Sequence, residues 1–197
     1  VKNNTASGSG GGVNTFNGTS ALNVSDSVFR NNEASRGGAI NADEDQLIVS
    51  NTKFDNNLAT SDDGGAIRIF GEDAAITGSD FTRNVASGGH GGAVFIRKLL
   101  GNTVTIDASR FAGNEAAFGG GVSIRNETVV ITGSEFAGFD DGIEFLGGNQ
   151  ATVGDGGAIV NIGGNLTVQS TRIASNSSNS FGGGIANAGS GAVLSIE

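Results

Sequence analysis

The 197-residue sequence has no cysteine, proline, methionine, tryptophan or tyrosine, and a single histidine. Without cysteine the chain forms neither disulfides nor thiolate metal sites. That make-up is compatible with a bacterial surface protein. His90, in the stretch SGGHGGAV, cannot build a multi-histidine metal centre by itself and reads as a surface turn residue. Positive charge is scarce: 11 Lys and Arg stand against 20 Asp and Glu, for a formal charge of −9, and nowhere do the basic residues cluster. Nucleic-acid binding needs a basic face that displaces counterions, so no nucleic-acid partner is expected. No run approaches the roughly 20 apolar residues of a membrane-spanning helix, so membrane insertion of this segment is not expected either. The opening residues do not resemble a signal peptide. Because the chain begins at Val1 and not Met, such a leader is expected to lie outside it. A sustained 3.6-residue apolar pattern is missing as well, which argues against helices.

What is present is glycine, 35 residues of it, and a repeat. The stretch FRNNEASRGGAI from Phe29 is followed by FDNNLATSDDGGAI from Phe54. With each aromatic as origin, Phe29, Phe54, Phe81, Phe111 and Phe136 are followed at the sixth place by Ile173. Three residues later come Asn32, Asn57, Asn84 and Asn114, then Phe139 as an exception, then Asn176. Alanine follows at Ala34, Ala59, Ala86 and Ala116, with Asp141 and Ser178 departing. Two residues before the origin a small hydroxyl stands in every copy, at Ser27, Thr52, Ser79, Ser109, Ser134 and Thr171. A Leu-x-Val-like pair precedes it, as in Leu47 and Val49 or Val104 and Ile106. A Gly-Gly-Ala-Ile block ends at Val13, Ile40, Ile67, Val94, Val122, Ile159 and Ile185, at intervals of 26 to 28 residues except one of 37.

Apolar residues at alternate positions within such a period are strands that bury one face. The expected fold is therefore all-β: a single-stranded parallel β-helix of about seven coils, spanning residues 1–197 as one domain. One coil cannot bury its own inner face, so the next must present matching residues. Phe is expected to stack on Phe, and each Asn to bond its copies above and below in a ladder that satisfies a buried amide. Val1 occupies a Phe position and the closing LSIE a Leu-x-Val strand, so the piece is expected to belong to a longer repeat protein or to stack end to end.

The pairing of Gly-Gly-Ala-(Ile/Val) with Phe-x-x-Asn, through Phe29/Asn32, Phe54/Asn57, Phe81/Asn84 and Phe111/Asn114, resembles the repeat of the polymorphic outer membrane proteins, autotransported adhesins. It is also similar to pectate-lyase-like β-helix repeats of large bacterial surface proteins. The resemblance implies a secreted passenger folded as a right-handed β-helix, extracellular or on the cell surface, concerned with adhesion.

Candidate sites are few. The long interval is expected to hold an inserted loop, residues 137–155, in which Ile143-x-Phe145 forms a small flap. Its acids Asp140, Asp141, Glu144 and Asp155 are candidate ligand or metal residues. Paired carboxylates would suit a glycosidase, but the insert carries no Lys or Arg to stabilise an anion, so no enzyme is expected. A carbohydrate-active enzyme or phage tailspike is the alternative from that class. Acidic turns, including Asp62-Asp63, suggest Ca²⁺ as the one conceivable bound ion. Arg68, Arg97 and Arg125 follow successive Gly-Gly blocks and form a modest basic streak on an acidic rod. The expected partners are a host or cell-surface protein or glycan, or further copies along the rod axis in a filament.

Overall fold

The computed structural model describes residues 1–16, 21–43, 46–71, 73–97, 103–140 and 145–197. They form an all-β parallel solenoid, with no helix among the described residues. Each coil contributes one short strand to each of four parallel sheets. The Leu-x-Val sheet runs from Ala21–Ser25 to Val193–Ile196 in seven strands. Six strands make the Phe sheet, from Val28–Arg30 to Arg172–Ile173. The Ala sheet also has six, from Glu33–Ala34 to Ser177–Ser178. The glycine-led sheet, following each Gly-Gly, has seven, from Val13–Thr15 to Ile185–Ala188. There are about six full turns, one fewer than expected, because the outermost strands belong to partial coils.

Register follows the repeat. Phe81 pairs with Phe54 on one side and Phe111 on the other, and Ile67 pairs with Ile40 and Val94. The rings of Phe29, Phe54, Phe81, Phe111 and Phe136 stack with centroids 5.1, 4.8, 4.7 and 4.4 Å apart. That is the inter-strand spacing of a sheet, so the backbone sets the ring distance. All five rings are buried, and they share one core cluster with the inward residues of the Leu-x-Val and glycine-led strands. A fully buried Phe contributes roughly 1.5–3 kcal/mol by transfer from water.

The corners are polar and fully partnered. At Asn57, Nδ2 donates to Asn84 Oδ1 (2.9 Å) and to the Phe29 carbonyl (3.1 Å). Its Oδ1 accepts from the Asn32 side chain (2.9 Å) and the Asn32 backbone N–H (3.1 Å). Both donors and both lone pairs are thus used, which is why a fully buried amide is tolerated. The hydroxyl column works alike: Thr52 donates to the Ser50 carbonyl (2.8 Å), while the Thr52 N–H donates to Ser79 Oγ (3.1 Å). At the Gly-Gly bend, Gly64 has φ +74°, and a Cβ on Gly65 would collide with the Gly92 carbonyl and the Val85 backbone. Only glycine lets the two sheets approach there.

The long coil departs from expectation in one respect. The ladder does not skip it at Phe139. Asn149 takes the place: Asn114 Nδ2 donates to Asn149 Oδ1 (2.8 Å), and Asn149 Nδ2 donates to Asn176 Oδ1 (2.9 Å). Gln150 and Ala151 then pair with Glu115 and Ala116, so Ala151 fills the slot assigned to Asp141. The excursion therefore lies between Phe136 and Asn149, and residues 149–155 belong to the regular coil. It contains an antiparallel pair, Phe139–Asp140 with Phe145–Leu146. Arg110 covers the Phe139 ring at 4.5 Å, while Phe145 is 75% exposed.

Candidate cation-aromatic face

In each glycine-led strand two residues face inward and the two between them face outward. In Ile67–Phe70 the inward pair is Ile67 and Ile69, leaving Arg68 and Phe70 outside. Register stacks the outer residues into two columns. One reads Asn41, Arg68, Phe95, Ser123, Val160 and Ala186; the other reads Asp43, Phe70, Arg97, Arg125, Ile162 and Ala188. Beside them lie the segments that enter each Gly-Gly, carrying Arg36, Asp62, Asp63, His90 and Phe118.

The middle coils gather guanidinium and aromatic groups. Arg68 Nη1 donates to Asn41 Oδ1 at 3.0 Å and lies 3.9 Å from the Asp43 carboxylate. Its guanidinium sits 4.8 Å from the Phe70 ring centre, a cation–π distance, and Arg97 approaches the same ring at 5.8 Å. Burial lowers the Arg68 pKa from its ordinary value, and Asp43 opposes that shift. Arg36 pairs with Asp62 at 3.7 Å.

His90 is not the solvated turn residue that its neighbourhood in the sequence suggests. It is half-buried, stacked on Phe118 at 4.8 Å, and its Nε2 lies 2.5 Å from Arg125 Nη2. Burial, with the Arg125 charge adding to it, lowers its pKa to about 4. The imidazole is therefore neutral near pH 7 and accepts from the guanidinium at Nε2. Asp63 accepts the His90 backbone N–H at 2.8 Å, and burial holds its carboxyl above the usual carboxylate range.

The three arginines noted in the sequence are not one column. Arg97 and Arg125 are in-register neighbours, whereas Arg68 stands one column over, paired with Asn41 and Phe95. Their paired spacing was legible, and Phe95 lies on the same strand as Arg97. The stacking of His90 and Phe118 beside them was not, because each ends a strand of the Ala sheet, Val85–His90 and Glu115–Phe118, and His90 meets Arg125 across the Gly-Gly bend.

Of the four acids expected as a group, only Asp155 has a described side chain. Asp140 pairs through its backbone with Phe145 in the antiparallel excursion. Asp141 and Glu144 lie outside the described residues. Asp155 belongs to another corner, past the Ala strand, where Oδ1 accepts the Phe181 N–H at 3.0 Å. Among the described residues no three acidic or histidine side chains converge as metal ligands would. Two carboxylates are buried among the described residues, Glu127 and one not singled out in the sequence, Asp55, on the outer face of the Phe sheet. Asp55 is the centre of an ion cluster. It takes Arg30 Nε at 2.8 Å, Arg83 Nη2 at 2.8 Å and Thr82 Oγ1 at 2.8 Å. Burial pushes its pKa up, but the Thr82 and Arg83 hydrogen bonds and the two guanidinium charges outweigh that and hold it below the usual range. This is a structural clasp between coils.

No protein-family profile matches this sequence, and neither a curated protein nor a solved structure is significantly similar to it.

Proposed function

We propose that this chain is a non-enzymatic, adhesive segment of an extracellular surface protein, akin in role to the passengers of polymorphic outer membrane proteins. The observation that supports the reading is a division of labour along every strand. The repeated residues, Phe, Asn, hydroxyl and Gly-Gly, are spent inward on stacking, while outward positions change from coil to coil. A stack of in-register coils holds those outward residues at a fixed pitch, and loops on a rigid scaffold are where binding is commonly carried. The antiparallel excursion, with Phe145 exposed, and the cation-aromatic face are two places where this rod presents something other than a polar surface.

The test is direct. Beads coated with the chain are expected to bind cells saturably, and the chain to leave a panel of polysaccharides uncut. Cleavage of any of them, lost on Asp140→Asn or Asp155→Asn, overturns the reading in favour of a carbohydrate-active enzyme. Absence of binding to both host and bacterial cells removes the adhesive role.

A further inference from the structure

Eight arginines occur in the sequence, and six of them meet a carboxylate: Arg30 and Arg83 at Asp55, Arg36 at Asp62, Arg68 at Asp43, Arg110 at Asp80 and Arg172 at Glu135. The other two, Arg97 and Arg125, meet none among the described residues, and they are each other's in-register partners on adjacent strands of the glycine-led sheet. Like charges set directly opposite across two strands repel. In a chain with an excess of nine negative charges, two adjacent cations with no carboxylate at ion-pair distance among the described residues stand out.

A second observation points to a missing acceptor. Arg125 Nε is buried and has no hydrogen-bond partner, and the one polar contact of its guanidinium is the neutral His90 ring. Two residues earlier on the same outer face, the fully buried Ser123 Oγ is also unpartnered. Asp63 acts on Arg125 through its charge but makes no hydrogen bond or ion pair with it, and its Oδ1 is engaged by the His90 N–H. Both guanidiniums lean over phenyl rings, Arg97 over Phe70 at 5.8 Å and Arg125 over Phe95 at 5.9 Å, so their planes are held while donors remain available.

We infer that Arg97 and Arg125, backed by His90 and the Phe70 and Phe95 rings, form a binding site for the oxyanion of an acidic saccharide. A guanidinium fork matches a carboxylate or sulfate in bidentate geometry. The half-buried Phe70 ring beside it offers apolar surface to a sugar ring, while Phe95 is buried under Arg125 and only supports that guanidinium. An extended acidic peptide is disfavoured because it would need a free sheet edge. Strands Val94–Arg97 and Val122–Arg125 are paired on both sides, so no strand can be added there. A densely charged polyanion such as nucleic acid is repelled by the surrounding acidic rod. An oligosaccharide with one charge every second sugar suffers least.

The inference gives a ligand class to the adhesive reading and rests on it only for biological purpose. Calorimetric titration of the chain with a hyaluronan hexasaccharide and a heparin hexasaccharide, against neutral chitohexaose and a poly-aspartate peptide, tests it. Saturable binding of at least one acidic saccharide is expected, weakening as salt rises. Arg97→Gln and Arg125→Gln are each expected to weaken it roughly ten- to hundredfold, as loss of a charge-assisted hydrogen bond does. Arg110→Gln, whose partner is Asp80, should leave binding unchanged, and thermal melts verify that each variant folds. Binding by neither acidic saccharide, binding indifferent to both substitutions, or capture of the acidic peptide alone overturns the site. If cells still bind the Arg97→Gln/Arg125→Gln chain as well as the original, the site falls and adhesion stands. If the saccharide binds but no cell does, adhesion falls and the site stands.

Discussion

Within the strand Ile67–Phe70, two neighbours live under different rules. Ile69 faces inward, where the coils on either side present Ala42 and Ile96, and it contributes to an apolar core common to the whole rod. Arg68 faces outward, where its column neighbours are Asn41 and Phe95, and nothing repeats. Inside, a residue is constrained by copies of itself, because the next coil supplies half of its surroundings. Outside, the same backbone spacing carries whatever chemistry each coil happens to bear. Repetition in this sequence therefore marks the interior, and function is to be sought where repetition stops.

The contrast breaks most visibly at the asparagine ladder. Asn84→Leu leaves the Asn57 side-chain and backbone N–H donors without their acceptor, Asn114 Oδ1 with only the residue-84 backbone N–H, and the Phe54 carbonyl without its side-chain donor. Each buried unmet group costs about 1–3 kcal/mol, so urea titration is expected to show a loss of more than about 3 kcal/mol. Asn149→Leu is expected to cost a comparable amount, and Phe139→Leu far less. Equality of the two would mean the ladder does not run through Asn149. Phe81→Ala belongs in the same class, at about 3–5 kcal/mol, since it opens a gap between two stacked rings.

A middle-sized effect is expected from excising residues 139–148. The cut rejoins Phe136-Ala137-Gly138 to Asn149, which restores the Phe-x-x-Asn spacing. The Gly113 N–H, bonded at 2.8 Å to the Gly147 carbonyl, then faces the Ala137 carbonyl, as the Arg83 N–H faces that of Ala112 one coil earlier. Stability by urea titration should move by about 1 kcal/mol or less, since loop length itself enters only logarithmically. Collapse of the cooperative transition would show that the excursion supports the core.

Smaller still is the pH effect at His90. Its folded pKa, about 4, lies below the ordinary 6.5, so the unfolded chain takes up the proton first. The stability tied to neutral His90 is complete above about pH 6.5 and is lost progressively as pH falls toward 4. The charged groups around it are Arg125, Asp62 and Asp63. Asp63, with its pKa raised by burial, acts in the opposite sense, since its protonation favours the folded form as pH falls through and above the ordinary carboxylate range. Melting temperature against pH should therefore slope less between pH 6.5 and 4 in His90→Gln than in the parent chain; an unchanged slope would show that the ring titrates freely. Least of all, Arg97→Gln should alter stability by about 0.5 kcal/mol or less, because its side chain is exposed and its charge meets no carboxylate.

The solenoid, its four-strand coil and the Phe column were legible because every coil restates them. Asn149 was legible too, through the tripeptide Asn-x-Ala that links Asn149-Gln150-Ala151 to Asn114-Glu115-Ala116. Counting forward from Phe136 at a fixed step concealed it, since an insertion shifts everything after it. The cation-aromatic face was only half visible. Arg97 and Arg125 share an offset from their Gly-Gly blocks, and His90 and Phe118 each stand directly before one, but no spacing tells that these strand ends close against the outer face of the neighbouring sheet. Asp55 escaped notice because its partners Arg30 and Arg83 lie in two other coils, one on either side.

The amides of the buried asparagine ladder all point one way, whereas the exposed column of Asn56, Asn31 and Asn3 and the pair of Asn41 and Asn14 donate toward the N-terminus. From Asn4 through Asn32, Asn57, Asn84, Asn114 and Asn149 to Asn176, each Nδ2 hands its hydrogen to the next Oδ1 toward the C-terminus and never the reverse. Aligned head to tail in a dry interior, these dipoles polarise one another. They give the shaft an electrical sense, like an arrow with distinct tip and tail. Any coil that prolonged it would have to offer an oxygen at the tip and a hydrogen at the tail, so tip-to-tip joining would leave amide hydrogens facing each other. Growth, wherever it occurs, is vectorial.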